Sequence, residues 1–357
     1  MKKHIASILF LFLLSTFQLI AQSHSVKRLG IEQGLSNNYV VSITQDKQGF
    51  LWFATEEGLN KFDGTRFTTY YKNDLTQDNQ GITGNELNRV YADTKHPIIW
   101  IATQRDGLNA YNYNEQTFTA YQHNPENPHS LITNDVTDIA PSTQHDDGLW
   151  ISTYYRGIEY LDITSGQFTH YNKSTVPSLP CDQTWTVLDG GDGNLYIGHV
   201  GSGFSIFSPK DKSVKNFRNE AGNPMSLPGN DVFCIIKDAN GNIWLGTNNG
   251  LALYDAANEN FITFKNNKND KYATLCSRIL SIRQLKDNRL WIASELNGIA
   301  ILNLKQSMFL SPEEISLEYI QEGADNRSLS NASARCIFQD SFDNIWIVRW
   351  GGGINFI

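Results

Sequence analysis

The chain has 357 residues, 40% of them hydrophobic and 12% aromatic, which is ample for a large core. A charged fraction of 18% argues against disorder. The formal charge of −8 disfavours nucleic acid or an anionic membrane surface as partner.

The first predicted element is a leader. Lys2 and Lys3 precede an apolar run from Ile5 to Ile20, followed by Ala21 and Gln22. That is a basic n-region, an h-region and a small residue at the cleavage point, so residues 1–21 read as a cleavable secretion signal and residues 22–357 as a periplasmic domain. The run is shorter than the roughly 20 apolar residues of a membrane span and carries Ser7, Ser15, Thr16 and Gln18. Cleavage removes Lys2 and Lys3 and takes the formal charge from −8 to −10.

From there on the chain repeats. Trp52, Trp100, Trp150, Trp244, Trp291 and Trp346 each sit in an apolar run with a glycine six or seven residues later, and Tyr196 fills the one missing beat. The intervals are 48, 50, 46, 48, 47 and 55 residues, the signature of an array of similar units. Each unit holds four short apolar runs. The fifth is the clearest: Val232 and Ile235, then Ile243 to Thr247, then Gly250 to Tyr254, then Phe261 to Phe264. Such runs, separated by turn residues, are four antiparallel strands of one small sheet. The second run is continuously apolar, as in Leu51-Trp52-Phe53-Ala54, where a half-exposed strand would alternate. Both faces of each sheet are therefore buried, and sheets stacked face to face in a ring satisfy this. The fold class is all-β: a seven-bladed β-propeller with four antiparallel strands per blade.

The blades span about 35–70, 82–121, 131–171, 179–217, 227–264, 274–320 and 329–357. The seventh has three strands and stops. The mature N-terminus supplies a stray strand, Val26 to Leu29, at the spacing of Phe67 and Tyr70 in blade one. Residues 26–29 are expected to complete blade seven and latch the ring, because an open ring would expose sheet faces and edges.

The repeating residues resemble the two-component regulator propeller repeat. The carriers are the Leu-Ser/Pro-x-Asn start, the Asp-x-x-Gly-x-Leu/Ile-Trp core and the Gly-Leu-x-x-Tyr/Phe third strand, over about Val26 to Ile357. Gln33-Gly34-Leu35-Ser36 also resembles the start of these sensors. The resemblance implies the extracytoplasmic sensor region of hybrid two-component histidine kinases of Bacteroidetes. In that family two propellers, a Y_Y_Y domain, a membrane helix and a kinase follow one another, and glycans are sensed. The chain ends with the first ring, so the reading is the input portion of a truncated sensor. The partners implied are an oligosaccharide ligand and a second copy of the chain or further sensor domains. No cofactor and no membrane contact beyond the leader are expected.

Candidate site residues come in two sets. At the start of the innermost strand, equivalent positions read Asn38, Asn85, Asn134, Asp182, Asn230, Ser277 and Ala332. Short polar side chains there cap the turning backbone, or else line the mouth of the central channel. The turns between second and third strands vary while their frame stays constant: Glu56-Glu57, Gln104-Arg105-Asp106, Tyr154-Tyr155-Arg156, His199, Asn248-Asn249, Glu295 and Arg349-Trp350. Function sits on loops held by a rigid scaffold. Tyr154, Tyr155 and Trp350 offer flat faces for sugar rings; Arg105, Arg156 and Arg349 donate to hydroxyls or acidic groups; His199 and Glu295 add polar chemistry. Ordinary loop variation is the competing reading.

No metal site is expected. Asp238-Ala-Asn-Gly-Asn242 mimics a calcium loop but lacks the bidentate glutamate at its twelfth position. The four cysteines, Cys181, Cys234, Cys276 and Cys336, match no metal or redox spacing; Cys234 and Cys336 share a repeat position and read as small buried packing residues. No catalytic residue stands out, although propellers also host lyases and glycosidases, whose chemistry needs two placed carboxylates. A carbohydrate-active enzyme and a protein-interaction propeller are the alternatives to a sensor. The repeat tryptophans are expected to be core, each indole N–H finding a local partner.

Overall fold

The computed structural model describes residues 26–72, 81–264, 273–304, 317–323, 328–329 and 332–357. The expected leader lies outside these residues. Among them, 28 strands form seven four-stranded antiparallel sheets. Six sheets follow chain order. Blade five, for example, runs Val232–Lys237, Ile243–Thr247, Gly250–Asp255 and Asn260–Thr263.

Blade seven closes the ring as expected. Lys27–Leu29 pairs antiparallel with Gly353–Phe356, with Lys27 opposite Phe356, Arg28 opposite Asn355 and Leu29 opposite Ile354. Without it the strand Gly353–Phe356 would present an unpaired edge. Leu29 also joins the apolar cluster between blades seven and one, which includes Phe53, Phe62, Trp346 and Ile354.

The core is divided into seven such clusters, one in each gap between neighbouring blades. This explains the unbroken apolar second strands: Leu51–Thr55 and Ile243–Thr247 are buried at every position because one face serves each gap.

The repeat motif is a set of hydrogen bonds. In blade five, Oδ1 of Asp238 accepts the backbone N–H groups of Asn240 and Asn242, closing the hairpin, and its Oδ2 accepts Nε1–H of Trp244 at 2.9 Å. Asp46 does the same for Trp52 at 2.8 Å, and Asp340 for Trp346 at 2.8 Å. One carboxylate thus fixes a turn and satisfies a buried indole. Two blades depart from the expected local pairing. Ser142 and Leu285 occupy the aspartate position before Trp150 and Trp291. Trp150 donates instead to Asp189 of the next blade at 3.2 Å, and the buried Nε1 of Trp291 has no partner among the described residues.

A second repeated device ties blade to blade. Gly58 has φ 106°, and a Cβ there would stand 2.9 Å from the carbonyl oxygen of Tyr70, so the position needs glycine. Its N–H donates to the carbonyl of Asn85 in the next blade at 2.9 Å. Gly107, Gly157, Gly203, Gly298 and Gly353 repeat this towards Asn134, Asp182, Asn230, Ala332 and Asn38.

Candidate ligand channel along the propeller axis

All seven innermost strands carry an irregularity at the same place. The register slips by one residue between Val40 and Ser42, Leu87 and Arg89, Val136 and Asp138, Thr184 and Thr186, Val232 and Cys234, Ile279 and Ser281, and Ala334 and Cys336. A bulge leaves two residues opposite one. Consecutive pairs such as Asn88-Arg89, Trp185-Thr186, Phe233-Cys234 and Arg335-Cys336 therefore both line the axis. The axial cavity measures about 1260 Å³, above the usual range of small-ligand sites.

Its mouth is built from these pairs and from the turns between second and third strands. Trp185 packs edge-on against Phe233, centroids 5.9 Å apart, and the guanidinium of Arg278 lies over the Phe233 ring at 5.2 Å. On the other side the guanidinium of Arg335 covers Trp350 at 4.5 Å, and Tyr39 meets Trp350 edge-on at 5.6 Å. Trp350 is 42% exposed and Leu296 72%. Glu56, Glu57, Glu86 and Glu295 add carboxylates to the rim, Glu295 paired to Arg278 at 3.2 Å.

Deeper in, the charge changes sign. Arg89, Lys237 and Arg283 line the wall on innermost strands, against one carboxylate, Asp138. Arg89 Nε meets Asp138 Oδ1 at 3.1 Å, and Asp138 Oδ2 accepts the hydroxyl of Thr186 at 2.7 Å. Asp138 accordingly raises the pKa of Arg89. Partial desolvation by the channel wall lowers the pKa of Arg283 and of Arg335, although Arg283 stays exposed to the lumen. Burial also pushes the Cys234 thiol up to about 12, which keeps it protonated and unreactive. Cys234 and Cys336 are half-buried: both pack against neighbouring core clusters and, because of the bulge, also line this wall.

The structure separates the turn candidates into three groups. Glu295 and Trp350 line the axial mouth, and Tyr154 reaches it indirectly, its ring 6.2 Å from Trp185. Arg105, Tyr155 and Arg156 are exposed on the same turns without lining the cavity. His199 and Arg349 are fully buried. His199 stands where other blades place Thr55, Thr103 or Thr247; its Nε2 meets the Ser205 hydroxyl at 2.8 Å and its Nδ1 the Cys181 thiol at 3.5 Å. Burial holds its pKa down at about 4. Arg349, at the same place in blade seven, donates through Nη2 to the carbonyl of Gly352, and burial pushes its pKa down to about 10.

The innermost-strand set acts chiefly on the backbone. Oδ1 of Asn85, Asn134, Asp182 and Asn230 accepts the N–H groups of Lys72, His123, Lys173 and Asn219, at 2.6 to 2.8 Å, and Asn38 accepts that of Ile31 at 3.1 Å. Of these five, Asn85 lines the cavity.

Residues 34–57 and 226–249 match the two component regulator propeller family model. The chain carries two component regulator propeller repeats at these two stretches. The propeller is 64% identical to the extracellular domain of a hybrid two component system from B. thetaiotaomicron, with a TM-score of 0.83. The match covers 94% of this chain and 42% of that one. A stretch of 66 residues, 18% of the chain, is 42% identical to Histidine kinase P4 of Formosa agariphila, of which it covers 5%. The chain thus spans less than half the length of these relatives. A streptogramin B lyase structure, 12% identical over 93% of this chain and 96% of that one with a TM-score of 0.65, shares the fold.

Sequence reasoning missed most of the channel wall of the regulator propeller: Trp185, Phe233, Arg278, Arg335, Arg89 and Arg283. A usable signal was present. Eight tryptophans occur and six keep the repeat period; the two that do not, Trp185 and Trp350, both line the mouth.

Proposed function

We propose that the regulator propeller is the ligand-sensing input module of a two-component system, that it works in the periplasm, and that its ligand is an oligosaccharide held at the axial mouth. One observation carries this reading. Trp185, Phe233, Tyr39 and Trp350 offer flat apolar faces around one opening, interleaved with Arg278, Arg335, Glu56 and Glu295. Sugars present apolar ring faces and a rim of hydroxyls, and a mouth of aromatic surfaces edged by donors and acceptors matches both. The relatives, extracellular domains of two component systems, favour a sensing role over catalysis. Further sensor domains or a second copy of the chain would pass the signal on.

The test is calorimetry against a glycan panel, paired with a reducing-sugar assay. Trp185→Ala and Trp350→Ala should each weaken binding about tenfold, equivalent to about 1.4 kcal/mol. The bound glycan should persist without turnover. Unchanged affinity in both variants would remove the mouth from the account. Turnover would favour the carboxylates Glu56, Glu57 and Glu295 as catalytic groups, and neither binding nor turnover would leave a protein-interaction propeller.

A further inference from the structure

The chain carries a formal charge of −8, yet the innermost-strand wall of the channel is cationic below the mouth: Arg89, Lys237 and Arg283 against Asp138. The single carboxylate is already engaged by Arg89, by the hydroxyl of Thr186 and by the N–H of Val187. Lys237 donates to the carbonyl of Gly190 at the far end. Arg283 is different. Among the described residues its guanidinium has no carboxylate partner; it rests over the Phe338 ring at 5.5 Å. Arg89, from blade two, and Arg283, from blade six, line the same cavity, and the charge of Arg89 disfavours that of Arg283. The Cys336 thiol lies near both and the Cys234 thiol near Arg89, on the same wall.

The charges of Arg89 and Arg283 repel within one lumen, and Asp138 offsets that of Arg89 alone, so Arg283 is the cation left for an anion to meet. Guanidinium forks match carboxylate and sulfate oxygens in geometry as well as charge. The rim has the opposite sign, with Glu56, Glu57 and Glu86 beside the Arg278–Glu295 pair. Charge therefore changes along the axis, and a ligand with one acidic group is oriented by it: acid inward, hydroxyls towards the rim carboxylates.

Resting on the sensing role proposed above, we propose that the channel selects saccharides bearing an oxyanion, a carboxylate or a sulfate, which is seated between Arg89 and Arg283. The oxyanion accepts hydrogen bonds from both guanidiniums, and the neutral part of the sugar lies against Trp185 and Trp350.

The experiment is calorimetry on the intact chain and on Arg283→Met with three probes: digalacturonate, its neutral counterpart galactobiose, and sodium sulfate. Methionine keeps the aliphatic stem, and an unchanged melting temperature confirms that the variant is folded. Digalacturonate is expected to bind the parent at least tenfold more tightly than galactobiose, more weakly as salt rises. Arg283→Met should lose at least tenfold for digalacturonate and leave galactobiose unaffected. Binding of sulfate alone, abolished by Arg283→Met, would support the oxyanion seat while rejecting a sugar as its source. Equal affinity for galactobiose and digalacturonate would overturn the inference and leave the sensing role standing. Indifference of digalacturonate to Arg283→Met would overturn it as well.

Discussion

The gaps between the blades and the axis they surround obey different rules. In the gaps the same chemistry recurs: Asp46 with Trp52, Asp238 with Trp244 and Asp340 with Trp346, and glycine N–H groups reaching the next blade. Along the axis, one equivalent position reads Ser42, Arg89, Asp138, Thr186, Cys234, Ser281 and Cys336. A residue in a gap must fit a neighbour built on the same plan, which holds its identity. A residue on the axis faces a lumen, and its identity is free to follow a ligand. The difference separates stability from recognition.

Breaking the frame should have the largest effects. Deleting residues 23–29 removes the strand that pairs with Gly353–Phe356 and strips Leu29 from the closing cluster. A loss on the order of 3–5 kcal/mol is expected, in a single cooperative thermal transition at a lower midpoint. An unchanged midpoint would mean that the latch contributes nothing.

His199 comes next and is read by pH. Its folded pKa of about 4 lies below the ordinary value of 6.5 because burial disfavours the imidazolium. As pH falls from 6.5 towards 4, the unfolded chain gains a proton that the folded ring refuses, and stability drops by about 3 kcal/mol. Denaturant titrations across that window should show the loss in the parent and a flatter profile in His199→Gln. Identical profiles would place the acid sensitivity elsewhere.

Asp238→Leu copies the arrangement of blade six into blade five. It leaves the indole of Trp244 without its acceptor and the hairpin without its cap, a cost of about 1–3 kcal/mol by chemical denaturation. No loss would show that an orphaned indole is tolerated everywhere, as at Trp291.

The smallest effect on stability belongs to the axis. Arg283→Met and Trp350→Ala should each shift stability by less than about 0.5 kcal/mol while changing ligand affinity. A large destabilisation from either, measured by melting, would erase the distinction between frame and axis.

The frame was legible because its residues repeat. Seven copies of a four-run pattern, and one stray strand at Val26 to Leu29 spaced like Phe67 and Tyr70, were enough to number the blades and to place the latch. The channel was legible only at its mouth, at Asn85 on a strand start and at Glu56, Glu57, Glu295 and Trp350 on the turns. His199 and Arg349 occupy turn-flanking positions of the same kind yet point into the protein, and nothing in their spacing distinguishes them. Arg89 and Arg283 read as surface charges on short strands, since sequence spacing alone does not show that blades two and six face each other.

What the sequence determined by itself was the kind of unit, the number of units and the means of closure, because periodicity and apolar runs report which faces must be buried. What only the tertiary structure decided was which side chains share the lumen. That depends on a one-residue bulge in each innermost strand, which changes the direction of a side chain without leaving a mark in the pattern of hydrophobic residues, and on a ring closure that brings distant blades to a common axis.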